Sequence, residues 1–362
     1  MKYINYGFHD KTISKSYIAF VAMALFAANQ LITWLVMIYL GKEFADFCTY
    51  DCGWYRGITE HGYQLEPSGH EKGDAANWAF FPVFPLAAKG LNIFGIAGDY
   101  SLLLMGKLFF LLSIYFFINF AILYNKTINP IIAGSALAFN PYSLYGNTGY
   151  AEPVFLALTL LSLMAIYKGW FIRSGLWGGI LTATRPVGIA IGFSYLIVAL
   201  GAWHKKNHKR WDIVLGLMLI PSGMALFMLY LFSLIGDALA FVHIQVAWNR
   251  IPGNPLDYFA GVFDSKKSLY YGAHVVICLL AIGVLCWQRY WHLVAFSVVA
   301  TAIPLSTGLW EIPRYIWWQA PILLVLCQIM HWRRIWIFIL PVMVIGLIII
   351  NMDWLTYKML TG

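Results

Sequence analysis

The sequence is dominated by uninterrupted apolar runs that are long enough to cross a lipid bilayer as helices. Such a helix needs about 20 apolar residues, and the first run extends from about Tyr17 to Leu40. Hydrophobic residues make up 61% of the 362 positions and charged residues only 11%, against about 25% charged residues in soluble proteins. A soluble domain of this size cannot bury so much apolar surface. We therefore predict an all-α polytopic membrane protein.

The pattern of apolar runs predicts a bundle of about 11 transmembrane helices. The predicted spans lie near residues 17–40, 99–123, 129–146, 150–168, 174–189, 189–203, 211–235, 269–287, 291–309, 315–331 and 335–351. The stretch 79–96 is apolar but short and contains Pro82 and Pro85, so it is predicted to lie at the membrane interface. No separate soluble domain is indicated, and residues 1–362 are predicted to form a single transmembrane unit.

Basic residues predict which side of the membrane each connection faces. Lys2 and Lys15 precede the first span, and Lys206 lies in a basic cluster between two later spans. Because cytoplasmic connections are enriched in lysine and arginine, the N-terminus is predicted to be cytoplasmic. Two long polar segments then lie outside: 41–98, with juxtamembrane helices, and 236–268. The membrane is predicted to be a bacterial or archaeal plasma membrane, or the endoplasmic reticulum in a eukaryote.

The five cysteines fall into two groups. Cys278, Cys286 and Cys327 lie in apolar runs and are interpreted as packing residues. Cys48 and Cys52 lie in the first outer segment, four residues apart. One helical turn places their Cα atoms about 6 Å apart, within disulfide range. A disulfide and two free thiols are both compatible with this spacing.

The most informative segment follows these cysteines and reads DCGWYRGITEHGY from Asp51 to Tyr63. Trp54 and Ile58 recur at helical spacing, which predicts a short amphipathic helix on the membrane surface. Asp51 would begin that helix, where an aspartate N-cap stabilises by about 1 kcal/mol. A carboxylate beside the bilayer has a second possible use, as the base that takes the proton from an acceptor hydroxyl during glycosyl transfer. Composition alone favours the interpretation of Asp51 as an N-cap.

The spacing of this segment resembles the PIG-V family (GPI mannosyltransferase 2-like), which belongs to the GT-C class of membrane glycosyltransferases. The resemblance continues in order along the chain, over roughly residues 40–320. Its patches are Asp51-x-x-Trp54-Tyr55-x-x-Ile58-x-Glu60-His61-Gly62-Tyr63, then 79–85 (AFFPVFP), Asn140-Pro141, 149–152 (GYAE), 182–188 (TATRPVG), Gly236-Asp237, Phe241, Gln245, Trp248 and Arg250, and Pro313-Arg314-Tyr315.

The resemblance implies a transfer reaction at the extracytoplasmic face. Enzymes of this family move a sugar from a polyprenyl-phosphate donor to a glycolipid acceptor, which implies a hexose, mannose in particular, and inversion at the sugar carbon. Carried over by position, Asp51 becomes the catalytic base. The candidate substrate contacts are Trp54, Tyr55, Glu60, His61, Tyr150, Glu152, Gln245, Trp248 and Glu311.

Two arginines are the candidates for holding the donor phosphate. Arg185 lies in an apolar context just before Pro186, and a charge there is costly unless it is paired or solvated. Arg314 lies near a predicted interface. A planar guanidinium suits bidentate binding of phosphate oxygens. The alternatives are that Arg185 pairs with Glu152 for structure alone, and that Arg314 extends to the interface without a role.

No cofactor and no metal ion are expected. Glu60-His61 and His70-Glu71 are adjacent pairs rather than the i, i+4 array of a helical metal site. Two other functions remain open from the sequence: a transporter or flippase of a lipid-linked saccharide, and an inactive relative that holds a complex together. A transporter typically carries inverted repeats and helices broken at mid-membrane, and the sequence shows no convincing repeat. No nucleic-acid partner is indicated.

The charge distribution generates a topology prediction. In a cysteine-free background, Ser68→Cys is expected to react with an impermeant thiol reagent in intact cells. Asn207→Cys is expected to react only after permeabilisation, because lysine-rich connections stay in the cytoplasm. Labelling of both positions from the same side would contradict the map.

Overall fold

The computed structural model describes residues 13–68, 75–205 and 209–357, and within them the regular secondary structure is entirely helical. Lys2, His70, Glu71, Lys206 and position 207 lie outside the described residues. The α-helices, in chain order, are α1 Lys15–Tyr39, α2 Asp51–His61, α3 Val83–Lys89, α4 Gly98–Tyr124, α5 Pro130–Ala138, α6 Glu152–Tyr167, α7 Phe171–Thr182, α8 Ala190–Lys205, α9 Arg210–Leu219, α10 Ser222–Ile235, α11 Ala240–His243, α12 Pro255–Ala260, α13 Lys266–Trp287, α14 Trp291–Leu305, α15 Ile312–Trp317, α16 Ala320–His331 and α17 Trp336–Leu355.

Short 3-10 helices separate several of these elements. They are Phe44–Phe47, Asn77–Ala79, Gly90–Phe94, Pro141–Gly146, Pro186–Ile189, Ile244–Trp248, Gly261–Phe263 and Trp332–Arg334.

Six helical segments of the described chain are long and apolar enough to cross a membrane, and the predicted all-α membrane bundle is confirmed. They are Lys15–Tyr39, Gly98–Tyr124, Pro186–His204, Arg210–Ile235, Lys266–Trp287 and Trp336–Leu355. Other predicted spans form shorter helices: α5 has 9 residues, and α7 and α16 have 12 each. The apolar runs near 129–146 and 315–331 are divided because proline begins a new helix within them, at Pro141 and Pro321.

The helix predicted after the first span is present as α2. Tyr55 and Ile58 are buried on its inner face, and the helix packs against α3 and α4. The stretch 79–96 forms α3 between two 3-10 helices, so its prolines and its glycine prevent one continuous helix, as expected for a segment too short to span.

A disulfide joins Cys48 to Cys52 immediately before and within α2, which decides between the two possibilities left by the sequence. The Cys52 sulfur lies against Gly149, where a Cβ atom would meet it at 2.7 Å. Gly149 also has a φ of +70°, which favours glycine. These two features bring the segment that carries Tyr150 and Glu152 next to the start of α2.

A buried cluster of polar side chains holds the segment that precedes Tyr150 against α1 and α4. The Asn147 side chain accepts hydrogen bonds from Lys107 Nζ at 2.9 Å and from Gln30 Nε2 at 2.7 Å. Asn147 also donates to Asn29 Oδ1 at 3.2 Å. These bonds satisfy a lysine and three amides that would be costly to bury unpaired, and they join α1 and α4 to the residues that precede Tyr150.

The predicted break at Arg185-Pro186 is present. Helix α7 ends at Thr182, Arg185 is extended with φ −161°, and Pro186 begins a 3-10 turn. Proline cannot donate the hydrogen bond that would continue α7, and its ring excludes the helical conformation from the preceding residue. Arg185 therefore lies between two helices instead of within one.

Candidate functional site

Three carboxylates and three arginines meet around one cavity of about 420 Å³. Asp51, Arg185, Arg250, Glu311 and Arg314 line it. The third carboxylate, Glu152, is buried at the start of α6 and pairs with two of these arginines. The six groups balance in formal charge, which is what allows them to be held away from bulk water.

Arg314 is the centre of this cluster. Its Nη1 donates to Asp51 Oδ2 at 2.8 Å, its Nη2 lies 2.8 Å from Glu311 Oε2, and its Nε lies 3.1 Å from Glu152 Oε1. The side chain is only 5% exposed. One guanidinium thus binds three carboxylates that come from the starts of α2 and α6 and from the residue before α15.

The other two arginines lie on either side of this centre. Arg185 Nη1 donates to Glu152 Oε1 at 2.5 Å, which is the pairing expected under the structural alternative. Arg250 Nη2 donates to Glu311 Oε2 at 2.5 Å and its Nη1 to the Tyr315 hydroxyl at 2.9 Å. Each of these two arginines has one carboxylate partner among the described residues, whereas Arg314 has three.

Tyrosine rings enclose the guanidinium groups. The Tyr315 ring lies 4.6 Å from the Arg185 guanidinium and 5.4 Å from that of Arg314. The rings of Tyr145 and Tyr150 lie 5.5 Å and 5.3 Å from Arg314. Cation–π contacts of this kind stabilise a desolvated arginine, so the rings help to fix the cations at the cavity wall.

The carboxylate of Asp51 does not cap α2. The residue that precedes the helix is Tyr50, and it makes no side-chain capping bond. Instead, the Tyr150 hydroxyl accepts a hydrogen bond from the Asp51 backbone N–H at 3.0 Å. The capping interpretation is therefore wrong, because the Asp51 side chain is turned towards Arg314 and the cavity.

The surroundings of Asp51 raise the pKa of its carboxyl. Removal from water raises the pKa of its carboxyl most strongly, Arg314 opposes this, and the Glu311 carboxylate adds to the rise, so that the pKa lies above its ordinary value of 3.8. The side chain is nevertheless 24% exposed, at the cavity. A carboxylate with a raised pKa is a stronger base than an ordinary aspartate.

At Glu311 the neighbouring cations affect the pKa more strongly than burial does. Burial raises the pKa of its carboxyl, but the guanidinium groups of Arg314 and Arg250 outweigh this and hold the pKa below the usual 4.5. Glu311 therefore stays ionised beside its two arginines. Its role in the cluster is that of a permanent anion, in contrast to Asp51.

Backbone strain accompanies two of these positions. Tyr50, directly before Asp51, has a φ of +52°, and Glu311 has a φ of +60°. A non-glycine residue in this region costs on the order of 1–3 kcal/mol. Tyr50 is held by an edge contact of its ring with Trp354, 5.2 Å between centroids. The packing around the cluster therefore maintains conformations that local sequence would not choose.

Most of the predicted substrate contacts lie at or beside the cavity. Tyr55, Gln245, Trp248 and Glu311 line it. Trp54 packs its ring 5.6 Å from that of Trp248. Tyr150 and Glu152 are buried beneath it, in contact with Asp51 and Arg314 respectively.

Glu60 and His61 are not brought to the site. They lie nine and ten residues after Asp51, which is about 14 Å along the helix axis, and neither is among the described residues that line the cavity. Both side chains are exposed at the far end of α2. The alternative that they are solvated residues fits the structure.

Arg250 and Tyr315 are parts of the cluster that the sequence did not indicate. Arg250 lies in a polar segment, where a solvated side chain is the default expectation, and Tyr315 follows Arg314 without a distinguishing signal. The only sequence signal was their occurrence in the patches that resemble the PIG-V family.

Potential metal ligands within the described residues gather at one place, Cys48, Cys52 and Asp99. The two sulfurs there are joined in a disulfide and offer no thiolate. In the cavity, the three carboxylates are already paired with guanidinium groups. The cations that this site offers to an anionic ligand are therefore arginines.

The shared dependence of three carboxylates on Arg314 predicts a large effect on stability. Arg314→Gln leaves buried carboxylates without their central cation, and we expect the free energy of unfolding in detergent to fall by about 3–5 kcal/mol. The control is Arg56→Gln, which removes an exposed ion pair with Asp99 whose arginine is 46% exposed. A loss of at most about 1 kcal/mol is expected there. Equal losses in the two variants would contradict the central position of Arg314.

Comparison with solved structures identifies the fold. The crystal structure of ArnT from Cupriavidus metallidurans in the apo state matches 90% of this chain and 62% of that chain, with a TM-score of 0.52 and 17% sequence identity. A second structure of ArnT from Cupriavidus metallidurans, bound to undecaprenyl phosphate, matches 90% of this chain and 63% of that one, with a TM-score of 0.48 and 15% identity.

The chain thus spans less than two thirds of the length of ArnT. No family model matches the sequence, and no curated protein matches it. The resemblance to the PIG-V family therefore stays a prediction. The likeness to ArnT shows that this chain shares its fold.

Proposed function

We propose that this protein is an inverting glycosyltransferase that moves a hexose, mannose in particular, from a polyprenyl-phosphate donor to a glycolipid acceptor at the extracytoplasmic face. The observation that carries the proposal is the position of Asp51, a carboxylate with a raised pKa at the wall of a cavity that three arginines also line. The fold shared with a GT-C glycosyltransferase supports the same reaction class.

In the proposed reaction, Asp51 is the base. An acceptor hydroxyl attacks the anomeric carbon of the donor sugar, the bond between that carbon and the phosphate oxygen breaks, and the hydroxyl proton passes to the Asp51 carboxylate. The products are the glycosylated acceptor, the lipid phosphate and protonated Asp51. Because the base must be unprotonated, the rate is lost as the pH falls through the raised pKa of Asp51.

The arginines act on the leaving group. A sugar linked to a lipid through phosphate is a phosphodiester with one negative charge, and the departing lipid phosphate carries more. A fixed cation therefore stabilises the transition state more than the bound substrate, which is the requirement for catalysis. No metal ion is needed in this scheme, because guanidinium groups bind phosphate oxygens directly.

The contacts of the cluster favour Arg185 and Arg250 as the groups that hold the phosphate. Arg314 already forms ion pairs with Asp51, Glu152 and Glu311 and is almost fully buried, so a ligand in the cavity has little access to its guanidinium. This changes the pair suggested by the sequence, Arg185 and Arg314. In the revised proposal Arg314 positions Asp51, and Arg250 takes its place at the phosphate.

The apolar part of the cavity lining suits a lipid chain. Phe80, Phe81, Phe241, Val242 and Ile303 line it, and such a surface binds apolar groups without unpaired polar atoms. The cavity therefore combines an apolar wall with cations, as a lipid-linked phosphate requires. This combination supports the polyprenyl-phosphate class of donor over a nucleotide sugar.

A carrier of lipid-linked saccharides is the rival function, and Asp51 separates the two. Transport does not need a proton acceptor at the cavity, whereas transfer does. Asp51→Asn keeps the size of the side chain and a hydrogen bond from Arg314 but cannot take up a proton. With a radiolabelled polyprenyl-phosphate sugar and membrane lipid as acceptor, turnover is expected to fall by about 10²–10⁴-fold.

The thermal unfolding of Asp51→Asn is measured beside its turnover, and only a small change is expected. The control is Asp46→Asn, which alters a carboxylate at a 3-10 helix away from the cavity and is expected to leave turnover unchanged. Retained turnover in Asp51→Asn would show that Asp51 is not the base. Transfer that proceeds only from a nucleotide sugar would reject the donor class.

A further inference from the structure

A second cavity of about 420 Å³ lies beside the first, on the polar segment 236–268 and the start of α13. Its lining includes Asp257, Asp264, Lys267, Tyr271 and Trp310. None of these residues takes part in the reaction described above. Their mixture of aromatic rings, carboxylates and one cation differs from the arginine-rich lining of the first cavity.

The two cavities share a wall. Trp310 lines both of them, and the next residue, Glu311, pairs with Arg314 at 2.8 Å. The Trp310 side chain thus borders both the second cavity and the cavity of the arginine cluster. Two parts of one extended substrate could occupy the two cavities together.

The second cavity contains a buried donor without a partner. The Tyr271 hydroxyl has no hydrogen-bond partner among the described residues, and Tyr271 is only 4% exposed. An unpaired buried hydroxyl costs about 1–3 kcal/mol. The Tyr271 oxygen itself is covered by its neighbours, so a ligand hydroxyl would remove that cost after a small shift of the side chains beside the cavity.

Two carboxylates provide acceptors in the same lining. Asp257 stands in the first turn of α12, and Asp264 lies over Gly261, where a Cβ atom would meet its Oδ2 at 2.9 Å. Both side chains are exposed. An ionised carboxylate accepts hydrogen bonds through two oxygens and therefore suits a ligand with neighbouring hydroxyl groups.

Trp310 provides an apolar surface at a fixed place. Lys267 Nζ lies 3.5 Å from the centroid of its ring, and the Tyr271 ring makes an edge contact at 6.1 Å. The Lys267 ammonium covers one face of the indole, while 46% of the residue remains exposed, so only the uncovered part of the ring is available for stacking. A pyranose ring has an apolar face of C–H groups that packs against an aromatic ring, and hydroxyls around its edge.

Other classes of ligand fit this lining less well. Asp257, Asp264 and Lys267 give a negative formal balance, which repels phosphate and other anions. A lipid chain would leave the carboxylates and the Tyr271 hydroxyl unpaired. A saccharide meets each feature, because it is uncharged, carries donors and acceptors, and has an apolar face.

We propose that the second cavity binds a saccharide unit of the glycolipid acceptor, with Trp310 as the stacking surface and Asp257, Asp264 and Tyr271 as hydrogen-bonding groups. This inference rests on the proposed function, since it assigns the acceptor of that reaction. The saccharide lies beside Trp310, and its reactive hydroxyl extends past the ring towards Asp51. Acceptor selectivity then resides in the second cavity, and chemistry in the first.

The test compares acceptor and donor kinetics in variants of the second cavity. The double variant Asp257→Asn/Asp264→Asn is expected to raise the KM for the acceptor at least about tenfold, while the KM for the donor and kcat stay within about twofold. Tyr271→Phe keeps the ring and is expected to raise the acceptor KM by about two- to tenfold, the effect of one hydrogen bond. The matched control, Glu66→Gln, alters an exposed carboxylate outside both linings and is expected to change neither constant.

Binding is measured separately from transfer. Saturation-transfer NMR with the methyl glycosides of glucose and mannose is expected to give signals with the wild type and with Asp51→Asn. The double variant is expected to lose them. This arm does not depend on catalysis, because Asp51→Asn blocks the reaction and leaves the second cavity intact.

The outcomes distinguish the two proposals. Transfer with an unchanged acceptor KM in the double variant would overturn the acceptor site and leave the proposed function standing. If the wild type transfers no sugar, the proposed function fails. The NMR measurement then tests by itself whether the second cavity binds a saccharide. Signals lost only in the double variant would still establish a saccharide site, whereas signals that are absent or unaffected would overturn it.

Discussion

The arrangement of this site depends on one arginine that binds three carboxylates. Arg314 contacts Asp51, Glu152 and Glu311, which come from parts of the chain far apart in sequence. Bringing three acids together without a cation would cost several kcal/mol for each buried charge. Arg314 removes that cost and joins the start of α2, the start of α6 and the residues before α15 into one wall. Because it is paired and buried in this way, we propose that Arg314 positions Asp51 and that Arg185 and Arg250 bind the ligand.

The packing around Arg314 also helps to place Asp51 at the cavity. The Cys48–Cys52 disulfide and the close approach of Gly149 hold the Tyr150 segment against α2. Tyr150 then satisfies the first backbone N–H of that helix, so the Asp51 carboxylate does not have to cap it. An aspartate released from capping and removed from most of the solvent has a raised pKa and faces a cavity. A local hydrogen bond thus determines whether this carboxylate stabilises the helix or acts on a ligand.

The sequence predicted the membrane bundle and the short helix after the first span, because both follow from periodicity and apolar run length. It did not predict where the runs near 129–146 and 315–331 divide, since run length alone does not show which prolines begin new helices. The role of Asp51 was not decidable either, because its partner Arg314 is 263 residues away. The resemblance to the PIG-V family predicted Glu60 and His61 as substrate contacts, whereas their distance from Asp51 along α2 removes them from the cavity. Arg250 was missed because a basic residue in a polar segment is usually solvated.

The central claim is a single displacement in which Asp51 is the only group that exchanges a proton with the reacting hydroxyl. A direct displacement inverts the anomeric carbon, whereas a carboxylate nucleophile acting through a covalent intermediate retains its configuration. The most direct measurement is therefore the anomeric configuration of the transferred sugar, determined by NMR on product made from a donor of defined configuration. The account predicts the opposite anomer in the product. Retention of the donor's configuration would contradict it.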